Sequence, residues 1–222
     1  MEAPGVLTDG SAASAGSALA SPGGTTHTEA YMTTAVGTER ITAADFLHHP
    51  AANGPSELVH GKVRVLSPAG GRHGRIVRNV FRALDAHVES RALGECFTDG
   101  AGFALPPNDD VVRSPDAAFV RAGRLPAETL PEGWIPIAPD LVVEVLSPSE
   151  RHSDVMEKLD DYFAGGTQLA WVVDARRRGV EVHAAGQPVR WVAWGATLDG
   201  APVLPDLRVA VAELFKGVVP QA

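Results

Sequence analysis

The sequence contains one cysteine, Cys96, and no long apolar segment. A single thiol closes no disulfide within the chain and supplies no cysteine zinc site. No apolar run approaches the roughly 18–20 residues that span a bilayer. The first residues also lack the basic and apolar regions of a secretory signal. We therefore expect a cytoplasmic protein that does not bind membranes.

Positive charge is also scarce, because 19 Lys and Arg residues face 27 Asp and Glu residues and the formal net charge is −8. Proteins that hold nucleic acid mainly through its phosphates are usually basic. The charge argues against tight non-specific DNA binding, but it allows a local basic patch or a metal ion that screens the substrate. The sequence also lacks a GxGxxG or GxxxxGK(S/T) loop, which excludes nucleotide binding of those kinds.

The 222 residues suit one α/β domain and a tail. Residues 1–38 are rich in Ala, Gly, Ser and Thr and hold few large apolar side chains. Such a segment buries too little surface to offset its ordering entropy, so we predict a disordered tail followed by one domain over residues 39–222. Met32 is an alternative start of the chain.

Helix and hairpin signals occupy the first half of the domain. Thr42 and Asp45 resemble the start of a helix that stops before Pro50. His60-Gly61 separates two alternating runs and predicts a hairpin, and residues 73–88 follow a helical period. The segments ECFTD and GFALP predict a second hairpin around Gly100.

The second half is rich in strands. We predict strands at 114–120, 139–148, 169–174, 180–183 and 189–194, the last two paired, and a short helix at 211–215. A helix at 149–166, capped by Ser149 or Ser153, separates the second strand from the third. The order predicts an α+β (mixed α/β) fold in which helices flank a central mixed sheet, without regular βαβα alternation.

Glu144 is the first candidate site residue, because it interrupts the apolar strand Leu-Val-Val-Glu-Val-Leu. A strand of this composition is usually covered on both faces, where a carboxylate is costly without compensation. Metal coordination would compensate it, and so would a structural ion pair with an arginine.

Asp116 and Lys158 lie where a metal site would need them. Asp116 precedes an apolar strand, although Ser-Pro-Asp is also ordinary turn chemistry. Lys158 borders the apolar stripe of the helix after Glu144, although an ion pair with Asp154 or Asp161 would also explain it.

Carboxylate oxygens are the ligands that Mg²⁺ prefers, and Mg²⁺ or Mn²⁺ held by Asp116 and Glu144 would activate water and neutralise a phosphate. The main-chain carbonyl of Val145 is a further candidate ligand, and the Lys158 ammonium would orient the attacking water. Two other features have plainer explanations. The Arg176–Arg178 turn suits a solvated hairpin tip better than a phosphate contact, and Trp171, Trp191 and Trp194 suit sheet packing.

Several segments resemble the Uma2 family, restriction-endonuclease-like proteins of the PD-(D/E)xK nuclease superfamily. The resemblance covers roughly residues 40–215, and its most specific parts are PDLVVEVLSPS and the Lys-x3-Tyr-x2-Gly pattern that begins at Lys158. It implies a restriction-endonuclease-like sheet with added N-terminal hairpins. Asp116 would match the "PD" aspartate, and Glu144 the second acid. The superfamily lysine normally lies two residues after that acid, where this chain has Leu146, so Lys158 represents a lysine moved to the next helix.

The family pattern adds two secondary site residues, Glu57 and His73, with roles in metal binding or proton transfer near Asp116. Otherwise Glu57 would be an exposed strand carboxylate and His73 a surface residue at a helix start. These residues together favour a Mg²⁺-dependent endonuclease acting on DNA, with homodimerisation expected of an enzyme that cuts two strands. The alternatives are a non-catalytic binding or regulatory module on the same fold, and a hydrolase of another phosphodiester.

Overall fold

The apolar strands of the sequence assemble into a central sheet in the computed structural model of the chain. The structure describes residues 40–125, 130–147 and 150–218 and the backbone of a short strand at Ala35–Val36. All of them belong to one unit, Tyr31–Ala222. The rest of the predicted tail, residues 1–34 and 37–38, lies outside the described residues.

The secondary-structure elements follow the sequence in this order. The strands are β1 (Ala35–Val36), β2 (Ser56–Val59), β3 (Lys62–Val65), β4 (Gly94–Thr98), β5 (Phe103–Ala104), β6 (Val112–Arg113), β7 (Ala117–Arg121), β8 (Leu141–Val145), β9 (Leu169–Asp174), β10 (Gly179–Ala184), β11 (Arg190–Ala193), β12 (Thr197–Asp199) and β13 (Arg208–Ala210). The helices are α1 (Ala43–Leu47), a 3₁₀ helix at Pro50–Asn53, α2 (Gly71–Glu89), α3 (His152–Ala164) and α4 (Val211–Leu214).

The central sheet has the strand order β11-β10-β9-β8-β7-β4. Only the β8–β9 pair in it is parallel, because α3 carries the chain back to the end where β8 began. Successive side chains of a strand point to opposite faces. Accordingly Val143 and Val145 pack with apolar residues of α2, whereas Val142 packs with those of α3. The predicted mixed sheet flanked by helices is confirmed.

A second sheet, in the order β1-β3-β2-β6-β5, is built around the predicted N-terminal hairpin β2–β3. Its turn residues His60 and Gly61 both have left-handed backbones, with φ of 47° and 75°. Such angles suit a two-residue hairpin turn. The predicted helix start is also confirmed, because Thr42 caps α1 in a reciprocal capping box with Asp45.

The predicted hairpin around Gly100 is wrong. The turn is present, but β4 pairs with β7 in the central sheet and β5 pairs with β6 in the second sheet. The chain therefore changes sheets at this turn. The predicted cap of α3 needs a correction as well, since Arg151 is the N-cap, Ser153 lies inside the helix, and Ser149 falls outside the described residues.

The predicted C-terminal hairpin and short helix are present, but the chain between them forms an unpredicted two-stranded sheet of β12 and β13. Strands β10 and β11 pair as an antiparallel hairpin, and α4 occupies Val211–Leu214. Within the described ranges, no helix combines the length and apolar character needed to cross a membrane.

Candidate active site

Asp116 and Glu144 lie side by side at one end of the central sheet, Asp116 directly before β7 and Glu144 within β8. The β7–β8 register pairs Ala117 with Val143, so its continuation by one residue sets Asp116 opposite Glu144. Oδ2 of Asp116 accepts a hydrogen bond of 2.7 Å from the Val145 amide. Asp116 is therefore more than a turn residue, because its carboxylate is bound to the strand that carries the second acid.

Glu144 is buried, with 3% of its surface exposed, and two side chains of α3 contact its carboxylate. Nζ of Lys158 lies 3.3 Å from Oε2, and the Tyr162 hydroxyl donates a hydrogen bond of 3.0 Å to Oε1. Residues four apart share one face of a helix, which explains why both reach the same carboxylate. The sequence alternative, a structural ion pair between Glu144 and an arginine, is not formed among the described residues; Lys158 and Tyr162 contact the carboxylate instead.

Lys158 is surrounded by carboxylates. Besides Glu144, its Nζ lies 3.6 Å from Glu150 and 4.0 Å from Glu57. The ion pairs with Asp154 and Asp161 considered from helical spacing are not formed among the described residues. The ammonium is thus directed into the site.

Negative charge outweighs positive charge around Glu144. Burial raises the pKa of Glu144 to about 8, and the carboxylates of Asp116, Glu57 and Glu150 add to the rise against the opposing effect of Lys158. Burial acts to lower the pKa of Lys158, but Glu144 and the other carboxylates outweigh it and hold that pKa above its ordinary value. Arg113 is committed to Glu57, which leaves Lys158 and the His73 ring to face the carboxylates of Glu144, Glu150 and Asp116, so an additional cation would be stabilised here.

Glu57 is buried in the second sheet, with 1% of its surface exposed. Its Oε2 pairs with Nη1 of Arg113 at 2.8 Å, and its Oε1 accepts the Ser114 amide at 3.1 Å. Burial acts to raise the pKa of Glu57, but the charges of Lys158 and Arg113 hold it below the ordinary value. The alternative interpretation of Glu57 as an exposed strand carboxylate is therefore wrong.

The alternative interpretation of His73 as a surface residue at a helix start is also wrong. Its side chain is 12% exposed, and Nε2 lies 3.1 Å from Oδ2 of Asp116. Burial acts to lower the pKa of His73, but the hydrogen bond and charge of Asp116 and the Val145 carbonyl raise it above the ordinary value. The first turn of α2 thereby contacts Asp116.

The structure joins all five predicted side chains in one cluster and adds three that the sequence reasoning missed: Tyr162, Arg113 and Glu150. Tyr162 is fully buried on the stripe of α3, and its four-residue spacing from Lys158 was a usable signal. Arg113 is buried between Glu57 and Asp161, whose Oδ2 lies 2.6 Å from Nη2. A charged residue after two valines was its sequence signal.

The donor set fits a hard divalent cation. In the described part of the chain, no group of three or more His, Cys, Asp or Glu side chains converges as a metal site. The chain would therefore supply the carboxylates of Asp116 and Glu144 and the Val145 carbonyl, with water and substrate completing the shell. Mg²⁺ commonly binds through one or two carboxylates and keeps several waters.

Comparisons with known proteins agree with this architecture. The family model described as "Uma2: Putative restriction endonuclease" matches residues 43–212. A crystal structure of "a putative nuclease belonging to DUF820" from Anabaena variabilis ATCC 29413 superposes with a TM-score of 0.70 and 22% sequence identity. The match covers 79% of this chain and 97% of that one, and at this identity it shows a shared fold. No curated protein sequence matches the chain. Because the family model spans well over half of its residues, this chain belongs to the Uma2 family of restriction-endonuclease-like proteins.

Proposed function

We propose that the chain is a divalent-metal-dependent endonuclease that hydrolyses phosphodiester bonds of DNA. The observation that carries the proposal is the contact between Lys158 and Glu144, 3.3 Å apart, on the strand beside Asp116. Two acids and an ammonium meet in one partly buried site, as phosphodiester hydrolysis by a metal enzyme requires.

Asp116 and Glu144 would hold Mg²⁺ or Mn²⁺, with the Val145 carbonyl as a third ligand. When bound, the ion supplies charge neutralisation at the scissile phosphate and lowers the pKa of the attacking water. Nε2 of His73 lies 3.1 Å from Oδ2 of Asp116, so the ring holds this ligand group in place and is also a candidate for proton transfer.

Lys158 would orient the attacking water and stabilise negative charge that develops at the phosphate. Its raised pKa keeps the amine protonated, so it donates hydrogen bonds and does not act as the base. Glu57 acts through others, because it holds Arg113 and faces Lys158 from the second sheet. Glu57 is therefore proposed as a positioning residue for the ammonium.

The test is nuclease activity on plasmid, single-stranded DNA and RNA with Mg²⁺ or Mn²⁺, for the wild type, Asp116→Ala and Lys158→Ala. Loss of one catalytic group typically costs about 10²–10⁴-fold in rate. Asp199→Asn is a matched control, since Asp199 pairs only with the exposed Arg190 among the described residues. Equal cleavage by all proteins would refute the site, and wild type that binds DNA but never cuts it would favour the non-catalytic module. Sedimentation of the wild type would test the proposed homodimer.

A further inference from the structure

The arginines of α2 have no acidic partner among the described residues, whereas seven arginines elsewhere in the chain do. The first four turns of the helix, residues 71–84, contain no Asp or Glu, and Arg72, Arg75, Arg78 and Arg82 form no ion pair within the described residues. Arginines that do pair with carboxylates are Arg40, Arg64, Arg113, Arg121, Arg124, Arg177 and Arg190. Since acids outnumber bases in this chain, scarcity of carboxylates does not explain the difference.

Two of these arginines lie at the start of α2 and contact other segments. Nη2 of Arg72 donates to the Ala175 carbonyl at 3.4 Å, and its buried Nε has no hydrogen-bond acceptor in the described ranges. The Arg75 guanidinium lies beside Gly217, with its carbon 3.6 Å from where a Cβ on Gly217 would be. Gly71, Arg72, Arg75, Gly217 and Val218 line a common cleft.

The turn between β9 and β10 contributes a third arginine. The Arg178 guanidinium carbon lies 5.8 Å from the ring centre of Trp194, which stacks on Phe215 at 5.4 Å. Its neighbour Arg177 lies over Trp191 and also pairs with Glu181. Arg178 has no carboxylate partner among the described residues, and an aromatic ring leaves the N–H groups of an arginine free to bind an anion.

These three residues, Arg72, Arg75 and Arg178, are here called the arginine rim, and they lie at the site's end of the central sheet. Strands β8 and β9 are parallel and pair Val145 with Val173, so the turn after Asp174 lies at the same end as Glu144. His73, between Arg72 and Arg75 on α2, contacts Asp116. The rim therefore borders the acidic cluster.

We propose that the arginine rim binds the phosphate backbone of the nucleic-acid substrate beside the acidic site. The inference rests on the proposed function and names the surface that holds its substrate. An acidic protein with an acidic site repels a polyanion, so local cations are needed to hold it. Guanidinium groups match phosphate oxygens with paired hydrogen bonds, and Arg75 and Arg178 are exposed and have no carboxylate partner among the described residues.

The test measures binding of a labelled DNA duplex and a labelled single strand by fluorescence anisotropy, in EDTA and over a range of salt. One variant combines Arg72→Gln, Arg75→Gln and Arg178→Gln. The matched control combines Arg91→Gln, Arg190→Gln and Arg208→Gln, which removes the same charge from exposed positions outside the start of α2 and the β9–β10 turn. If each rim arginine neutralises one phosphate of duplex DNA, the slope of log affinity against log salt should fall by about 0.9 for each arginine replaced.

Weaker binding and a smaller slope in the rim variant alone would support the inference. Equal losses in both variants, or no loss in the rim variant, would overturn it, because binding would then follow overall charge or another surface. Rim-dependent binding to anionic phospholipid vesicles with unchanged DNA binding would assign the rim to a membrane and overturn it too. These outcomes can be told apart from failure of the proposed function. A wild type that binds DNA through the rim but cuts no substrate would contradict the nuclease proposal and still support the rim.

Discussion

Tyr162 donates a 3.0 Å hydrogen bond to Oε1 of Glu144, and both side chains are buried where α3 packs on β8. This bond and the nearby Lys158 ammonium are what the chain provides to keep a carboxylate inside an apolar layer. The relationship makes Tyr162 a test of how the site is held together.

Tyr162→Phe should lower the free energy of unfolding by about 1–3 kcal/mol, because it leaves a buried carboxylate oxygen without its donor. Urea unfolding at pH 9, where Glu144 with its pKa of about 8 is largely ionised, measures the change. Ser153→Ala removes an exposed hydroxyl from the same helix and should stay within about 0.5 kcal/mol of the wild type. A Tyr162→Phe protein as stable as that control would show that the hydrogen bond contributes little.

Arg113→Met should destabilise the protein by about 3–5 kcal/mol, because the buried Glu57 would lose its closest ion pair and Asp161 its shortest. Arg190→Met is the comparison, since its ion pair with Asp199 is exposed and such pairs contribute about 0–1 kcal/mol. Chemical denaturation of both variants gives the difference. Similar losses in the two would contradict the buried role of Arg113.

Mg²⁺ or Mn²⁺ should raise the thermal midpoint of the wild type. An ion that binds only the folded state at about 100 times its Kd adds roughly 2.7 kcal/mol to stability. Asp116→Asn should abolish the rise, whereas Asp199→Asn should retain it. Scanning calorimetry with EDTA as reference measures the shift, and a rise of equal size in Asp116→Asn would move the ion elsewhere.

Gly94→Ala should destabilise the protein far more than Gly100→Ala. Both glycines have positive φ, 150° and 97°, so both substitutions carry the backbone strain of about 1–3 kcal/mol. A Cβ on Gly94 would also lie 2.0 Å from the Val120 carbonyl oxygen, whereas a Cβ on Gly100 would meet open space. The difference between the two unfolding curves isolates the close approach of β4 and β7, and equal losses would argue against it.

Cys96 should react slowly with iodoacetamide at pH 8. Burial, together with the charges of Asp85 and Glu95, raises the pKa of its thiol to about 12, so the reactive thiolate is scarce in the folded protein. The unfolded thiol has a pKa of about 8.5, so the stability tied to the neutral thiol is present below that pH and is lost as pH rises toward 12. Mass spectrometry of alkylation with and without urea would reveal the contrast; fast labelling without urea would contradict it.

The sequence predicted those parts of the fold that local pattern determines. The continuous apolar run of β8 and the period of α2 and α3 identified the layers, and Glu144 was recognisable because an apolar strand tolerates few carboxylates. The hairpin error at Gly100 has the opposite origin. The turn is encoded locally, whereas the partners β7 and β6 come from later segments that no local pattern specifies.

The sequence identified most residues of the site, but it identified few of the contacts between them. Spacing placed Lys158 beside the buried face of α3, but its contact with Glu57 joins α3 to the second sheet. Arg113 was missed for the same reason, because its partners Glu57 and Asp161 lie 56 and 48 residues away. Long-range ion pairs of this kind leave no periodic trace in a sequence.

Lys158 and Tyr162 stand one helical turn apart and hold the same carboxylate. A single-residue insertion or deletion in the first turn of α3 would rotate both by about 100° around the helix axis. Loops and helix ends of related proteins usually tolerate changes in length. In this lineage, the number of residues between His152 and Lys158 should consequently be under stronger selection than the identity of the exposed residues among them.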